Sequence, residues 1–184
     1  MFARTPRLLL RPGFPEDAPA LAAAIADKAI VMNLAGPPWP FRIRDADAYL
    51  ARARDPVLPC LLIFRRTNGP PELIGECGLA RRPSGAVEIG YWIARSHWSR
   101  GFASEACTAL VDIARTLGLA SLEGSHFVDN PASARVLEKL GFEPLGLIAP
   151  RYSCARGVDV PARLMRLSLA GSVIDEDEEP SLAA

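Results

Sequence analysis

Glu88-Ile89-Gly90-Tyr91-Trp92-Ile93-Ala94 is followed, across a short turn, by Trp98-Ser99-Arg100-Gly101-Phe102-Ala103-Ser104-Glu105-Ala106. The first part is aromatic and β-branched and reads as a strand. In the second the period changes: Ala106/Cys107, Leu110/Val111, Ile113/Ala114 and Leu117 recur at helical spacing until Gly118 closes the element. A strand that runs through a loop into a helix leaves the helix's first N–H groups without intrahelical partners, at the positive end of its dipole. That is a ready site for an anion. Gly101 and Ala103 keep side-chain bulk away from those amides. A glycine here can equally be a steric need of the turn, so local physics leaves both readings open. The loop matches neither GxxxxGK[ST] nor a GxGxxG after a first strand, which disfavours the common nucleotide folds.

Working outward toward the N-terminus, apolar runs at Pro59–Phe64, Glu72–Ala80 and Ala86–Ala94 are divided by Asn68-Gly69-Pro70-Pro71 and Pro83-Ser84-Gly85. Connections this short predict an antiparallel meander. Before it lie a short strand over Arg7–Pro12, an Ala-rich helical stretch to about Lys28, a rigid Gly36-Pro37-Pro38-Trp39-Pro40-Phe41 loop and a second helix around Asp45–Arg54. Toward the C-terminus a strand over Ser121–Val128 leads into Asp129-Asn130-Pro131, where proline at the first helical position predicts a helix start. Val136, Leu137 and Leu140 form its apolar stripe and Gly141 its stop, before strands from Phe142 and over Ala162–Leu169. The expected class is α/β (α+β), one domain over residues 1–170 with a mixed, mostly antiparallel central sheet flanked by helices on both faces. The acidic block at Asp175–Glu179 makes 171–184 an expected solvated, disordered tail.

The chain has 184 residues, 49% of them apolar, which suits one core. Basic and acidic side chains balance at 21 each, so overall charge points to neither nucleic acid nor a membrane surface. Cys60, Cys77, Cys107 and Cys154 form no metal-ligand spacing. Free thiols, no metal and a cytoplasmic location are the expectations. The apolar run Leu8–Leu10 is too short for a leader or membrane span.

Several motifs in order resemble the GNAT superfamily of N-acetyltransferases, especially its ribosomal-protein N-terminal acetyltransferase branch. They are Arg7-Leu8-x-Leu10-Arg11, the Glu88–Ile93 strand, the Trp98–Ala103 loop, and His126-Phe127-Val128-Asp129-Asn130-Pro131-Ala132-Ser133 running into Lys139-Leu140-Gly141-Phe142. The family's loop reads Gln/Arg-x-x-Gly-x-Gly/Ala; here Trp98 stands first, as is common in this branch, and Gly101 and Ala103 match.

The resemblance implies an enzyme that moves the acetyl group of acetyl-CoA to a primary amine. It assigns the CoA pyrophosphate to the loop amides of Arg100, Gly101, Phe102, Ala103 and Ser104, and the pantetheine arm to the backbone around Ile93. Asn130 and Ser133 are implied near the thioester, while their local readings, a helix cap and an exposed first-turn residue, stay open. Glu88 is the first candidate for the base and Glu76 the second; either can instead face solvent on a strand. Ser133 is the candidate donor to the leaving thiolate, with Tyr152 as an alternative. His126 lines the cleft or packs, and Glu105 reads as first-turn support of the helix. The implied partners are acetyl-CoA and an amine acceptor, with a homodimer left open. The competing reading is a non-catalytic acyl-CoA sensor or interaction module.

Overall fold

The expected meander is present, its strands joined by short turns. In the computed structural model, which describes residues 1–169, β1 (Ala3–Arg4), β2 (Leu8–Arg11), β3 (Cys60–Arg65), β4 (Glu72–Arg81) and β5 (Val87–Ile93) pair antiparallel in sequence order. The expected tail at 171–184 lies outside the described residues. After β5 the long helix α4 (Phe102–Thr116) crosses over and β6 (Ser121–Phe127) returns parallel to β5, as a strand–helix–strand connection requires. Helix α5 (Pro131–Lys139) follows, and β7 (Glu143–Ser153) with β8 (Val158–Ser168) completes an eight-stranded sheet ordered β1-β2-β3-β4-β5-β6-β8-β7. The last strand thus inserts between β6 and β7.

Both faces of the sheet are covered, which explains the unbroken apolar run Cys60-Leu61-Leu62-Ile63-Phe64. Leu61 and Ile63 point into a core with Ala106, Leu110, Val111 and Ala114 of α4 and Leu137 of α5. Leu62 and Phe64 point the other way, against Leu21 and Ile25 of α1 (Ala18–Ile25), Ile30 and Val31 of α2 (Lys28–Val31), and Ala46 and Leu50 of α3 (Ile43–Leu50). The second expected helix therefore starts two residues early and ends at Leu50 rather than Arg54. Its start is drawn back by the Asp45 carboxylate, which accepts from the Arg42 N–H at 2.8 Å.

Two contacts shape the site. β5 and β6 share one register pair, Glu88 opposite Glu123, and beyond it no further pair forms, although both strands continue. A wedge opens there between them. On the far side, the β7–β8 hairpin docks on the segment between α2 and α3: Ser153 Oγ donates to the Leu34 carbonyl at 3.1 Å, Cys154 N–H to Ala35 at 2.9 Å, and Arg156 Nε to Met32 at 2.7 Å.

Candidate active site

The wedge between β5 and β6 is part of one cavity of about 910 Å³ that runs from the α4 N-terminus, through the sheet, to the face covered by α1–α3. A cavity of that size suits a cofactor-sized ligand.

At the α4 end, Ser99 and Gly101 both adopt left-handed backbone, with φ of 57° and 78°. Gly101 is also the N-cap and carries no side chain to bond the first turn, whose first helical bond is Glu105 N–H to Gly101 carbonyl at 3.0 Å. The N–H groups of Phe102, Ala103 and Ser104 are therefore left to a ligand. The Phe102 side chain is buried, beneath the Arg7 guanidinium at 4.4 Å, so only its backbone serves the loop. Gly101, Phe102, Ala103 and Ser104 line the cavity. Arg100 holds the loop through its carbonyl, which accepts from Arg7 Nη1 at 3.0 Å.

Arg7 has a role that no local pattern in the sequence marks. Its Nε bonds Glu105 at 2.6 Å, and Glu105 also accepts from Thr5 Oγ1 at 2.5 Å and from Arg7 N–H at 2.9 Å. Glu105 thus ties the start of α4 to the N-terminal strands. Burial pushes its pKa up, but these bonds outweigh burial and leave it below the usual carboxylate range. Trp98 likewise does more than pack: its Nε1 donates to the Ile93 carbonyl at 2.7 Å.

Ladder alternation settles which β5 backbone groups face the wedge. Ala94 N–H bonds Ile74 at 2.7 Å and Arg82 N–H bonds Ala86 at 2.8 Å, so the even-numbered β5 residues pair with β4 and Tyr91 and Ile93 turn their N–H groups away from it. With the Ile93 carbonyl taken by Trp98, that edge offers the Ile93 N–H and both backbone groups of Tyr91. Across the wedge, Asn130 Oδ1 caps α5 by accepting Ser133 N–H at 3.2 Å. The Asn130 amide nitrogen lies on the other branch, so the cap and a ligand contact are compatible. The Tyr91 and Ser133 hydroxyls lie 2.8 Å apart, and burial pushes the Tyr91 phenol up, keeping it protonated.

Beyond the wedge the floor is built by one face of β4 and β5, where Glu76 faces Trp92, Gly78 faces Gly90 and Ala80 faces Glu88. The glycine pair leaves the middle bare. A Cβ on Gly78 would come within 3.1 Å of the Pro59 carbonyl, whereas one on Gly90 would meet nothing within 4 Å.

The two carboxylates at the ends of this floor differ. Glu88 is clamped: Arg151 bonds both of its oxygens, the second from Nη2 at 2.9 Å, Ser125 Oγ donates at 2.8 Å, and Arg82 stands at 3.2 Å. Burial raises its pKa, but Arg151, Ser125 and Arg82 together bring it below the ordinary value. Glu76 accepts a short bond from the Tyr49 hydroxyl and lies 3.6 Å from Cys60 Sγ. Desolvation pushes the Glu76 pKa up, and the Tyr49 bond with the field of Arg54 recovers only part of that. Burial also pushes the Cys60 thiol to about 11, so it stays protonated.

His126 forms part of the cavity wall, buried, with Nδ1 2.9 Å from the Phe127 carbonyl. Tyr152 sits opposite Asp159 on the hairpin, exposed and outside that wall. Among the described residues no group of His, Cys, Asp and Glu could hold a metal, and no helix is long and apolar enough to cross a membrane.

The site thus joins a helix-end anion loop, an opened parallel strand pair and a carboxylate-floored chamber in one cavity. The acetyltransferase (GNAT) domain profile matches residues 7–143, and the chain belongs to that family. An uncharacterized N-acetyltransferase, p20 of Bacillus licheniformis, is 39% identical over 99 residues, covering 52% of this chain and 53% of that protein. The chain spans about half the length of the curated relatives it matches. Among solved structures, the GNAT-family acetyltransferase from Bacillus anthracis superposes with a TM-score of 0.77 at 19% identity, covering 92% of this chain and 99% of that one. RimL, a ribosomal L7/L12 alpha-N-protein acetyltransferase in complex with coenzyme A, superposes with a TM-score of 0.75 at 21% identity, covering 91% and 98%. At these identities the structures speak for the fold.

Proposed function

We propose that residues 1–170 act as one N-acetyltransferase domain that passes the acetyl group of acetyl-CoA directly to a primary amine. The observation that carries this reading is the single cavity joining free helix-end amides to a carboxylate-floored chamber through the β5–β6 wedge. RimL, bound to coenzyme A, shares the fold and supports the choice of cosubstrate. The four free thiols fit the reducing, cytoplasmic setting of such an enzyme.

The pyrophosphate sits on the N–H groups of Phe102, Ala103 and Ser104, with Arg100 and Gly101 shaping the approach. The pantetheine arm adds to the β5 edge at Tyr91 and Ile93, and Asn130 contacts it from the α5 side. An α-amino group has a pKa near 8 and a lysine amine about 10.4, so the attacking nitrogen must lose a proton to become a nucleophile. Glu76 receives that proton. It is preferred to Glu88 because a carboxylate with a raised pKa is a stronger base, and because both oxygens of Glu88 are occupied by Arg151. Strand N–H groups at the wedge stabilise the oxyanion, and the Ser133 hydroxyl, held by Tyr91, donates a hydrogen bond to the departing thiolate, which takes its proton from solvent.

Thiol release from acetyl-CoA in the presence of peptides, amino acids and polyamines tests the reaction. Acceptor-dependent release is expected; none with any amine, in protein that binds CoA, would overturn it. Gly101→Glu should weaken CoA binding by about 100-fold, since it sets a negative charge against the pyrophosphate. Unchanged affinity by calorimetry would reject the loop assignment.

A further inference from the structure

The two ends of the cavity carry separate sets of positive charge. Arg135 and Lys139, one turn apart on α5, line it near the α4 loop, where a phosphate-bearing cosubstrate would lie. At the opposite end Arg52, Arg54 and Arg81 line the chamber. Among the described residues none of these three makes an ion pair with a carboxylate, unlike Arg82 and Arg151, which both pair with Glu88. Arg52 and Arg54 instead both stand over the Tyr49 ring, each 5.3 Å from its centroid, and the Tyr49 hydroxyl reaches Glu76. One phenol ring therefore links a pair of like charges to the proposed base. Asp55 and Glu76 are the acids beside them: Asp55 Oδ1 accepts from the Val57 and Leu58 amides at 2.8 and 3.0 Å and its charge acts on Arg81, and Glu76 lies in the field of Arg54 and Arg52, so three cations face two carboxylates. Like charges gathered at a chamber wall repel each other and raise the local concentration of anions, so the arrangement favours a ligand that supplies the missing negative charge.

We propose that the acceptor is an anionic amine, whose primary amino group reaches Glu76 while a carboxylate or phosphate on the same molecule pairs with Arg52 and Arg54. This rests on the acetyl-transfer reading above. Guanidinium groups bind either anion in a forked geometry, so the two share one recognition chemistry. A polyamine fits badly, because its distal cation would face the Arg52 and Arg54 guanidiniums, which among the described residues make no ion pair of their own. The amine and the anion should be separated by several bonds, since the Tyr49 side chain and its two contacts stand between the base and the guanidiniums.

The experiment compares the tetrapeptide amides Ala-Asp-Ala-Ala, Ala-phosphoSer-Ala-Ala, Ala-Asn-Ala-Ala and Ala-Lys-Ala-Ala. For each, kcat/KM is measured by thiol release and affinity by calorimetry on the CoA-loaded protein. The Asp or phosphoSer peptide should exceed the Asn peptide by about tenfold, with the Lys peptide weakest, and the difference should shrink with salt. Which of the two anions leads identifies the natural group. In Arg52→Gln/Arg54→Gln the ratio should fall to about twofold or less, while Arg44→Gln, an exposed arginine of α3 outside the cavity, should keep it. Equal values for the Asp and Asn peptides, or a preference for Lys, would overturn the proposal. If CoA binds and nothing turns over, the catalytic reading fails by itself. The affinities then still decide the acceptor charge, and an anionic peptide held no tighter than its Asn counterpart again overturns it.

Discussion

Glu76 and Glu88 stand on neighbouring strands, on one face of the sheet, at either end of the bare Gly78–Gly90 pair. Their surroundings drive them in opposite directions. At the Glu88 corner two arginines and a serine converge, and the carboxylate is held ionised. At the Glu76 corner the bonded partners are a phenol and a thiol, the arginines Arg52 and Arg54 act only through space, and desolvation prevails. Identical side chains on neighbouring strands thus become a fixed anion and a carboxyl group with a raised pKa, the one proposed as the base. The difference is made by what reaches them from elsewhere in the chain, not by the strands they sit on.

The largest test of this contrast is kinetic. Glu76→Gln should lower kcat by about 10²–10⁴-fold, the range for loss of a general base, whereas Glu88→Gln should cost no more than about tenfold. Steady-state rates in which the order is reversed would return the base to Glu88.

The contrast also has a pH signature. Activity should rise with pH through the raised pKa of Glu76, above the ordinary carboxylate value of about 4.3, as the base ionises. A pH–rate profile should keep that limb in Glu88→Gln and lose it in Glu76→Gln.

Stability should divide the pair next. A carboxylate whose folded pKa is depressed contributes stability above its unfolded pKa, and that contribution is lost as pH falls through the folded value. Glu88→Gln should therefore destabilise by about 1–3 kcal/mol at neutral pH, partly by stranding Arg151, with the deficit vanishing in acid. For Glu76 the sign is opposite. Its raised folded pKa gives stability that is present below the unfolded pKa and lost as pH rises, so an ionised Glu76 weighs on the fold at neutral pH. Glu76→Gln, which keeps an acceptor for Tyr49, should melt at or above the wild-type temperature. Thermal melts shifting the same way for both variants would break the comparison.

The smallest effect belongs to the thiolate donor. Ser133→Ala should reduce kcat by about tenfold or less, because Tyr91 remains nearby to donate. An intact rate would leave Ser133 as a helix-start residue alone.

Much of the scaffold could be read from local pattern. The meander and α4 were legible because turn residues and changes of hydrophobic period mark their ends, and the α5 start because Asn130-Pro131 has both a cap and a preset φ. The insertion of β8 between β6 and β7 was not, since that pairing is non-local and nothing in either strand's alternation names its neighbour. The same distance hid the ranking of the two glutamates: Arg151 lies 63 residues from Glu88, and Tyr49 lies 27 from Glu76. Arg7 escaped notice because its partner Glu105 is 98 residues away. Loop amides were easier, since a glycine before a helical period specifies backbone geometry within a few residues.

Gly90 has a consequence for how such a protein can change. Its neighbour across the ladder, Gly78, is crowded by the Pro59 carbonyl, 3.1 Å from where a Cβ would stand, but a Cβ at 90 would project into open space and touch nothing within 4 Å. A strand glycine replaced by alanine under those conditions should gain about 0.5–1 kcal/mol of stability, so the folded chain has reason to accept the change. What the change removes is room in the chamber. If the chamber receives the acceptor as proposed, position 90 is a dial for acceptor size that the fold leaves free to turn, and a lineage could narrow its acceptor range there, one methyl group at a time, without relearning how to fold.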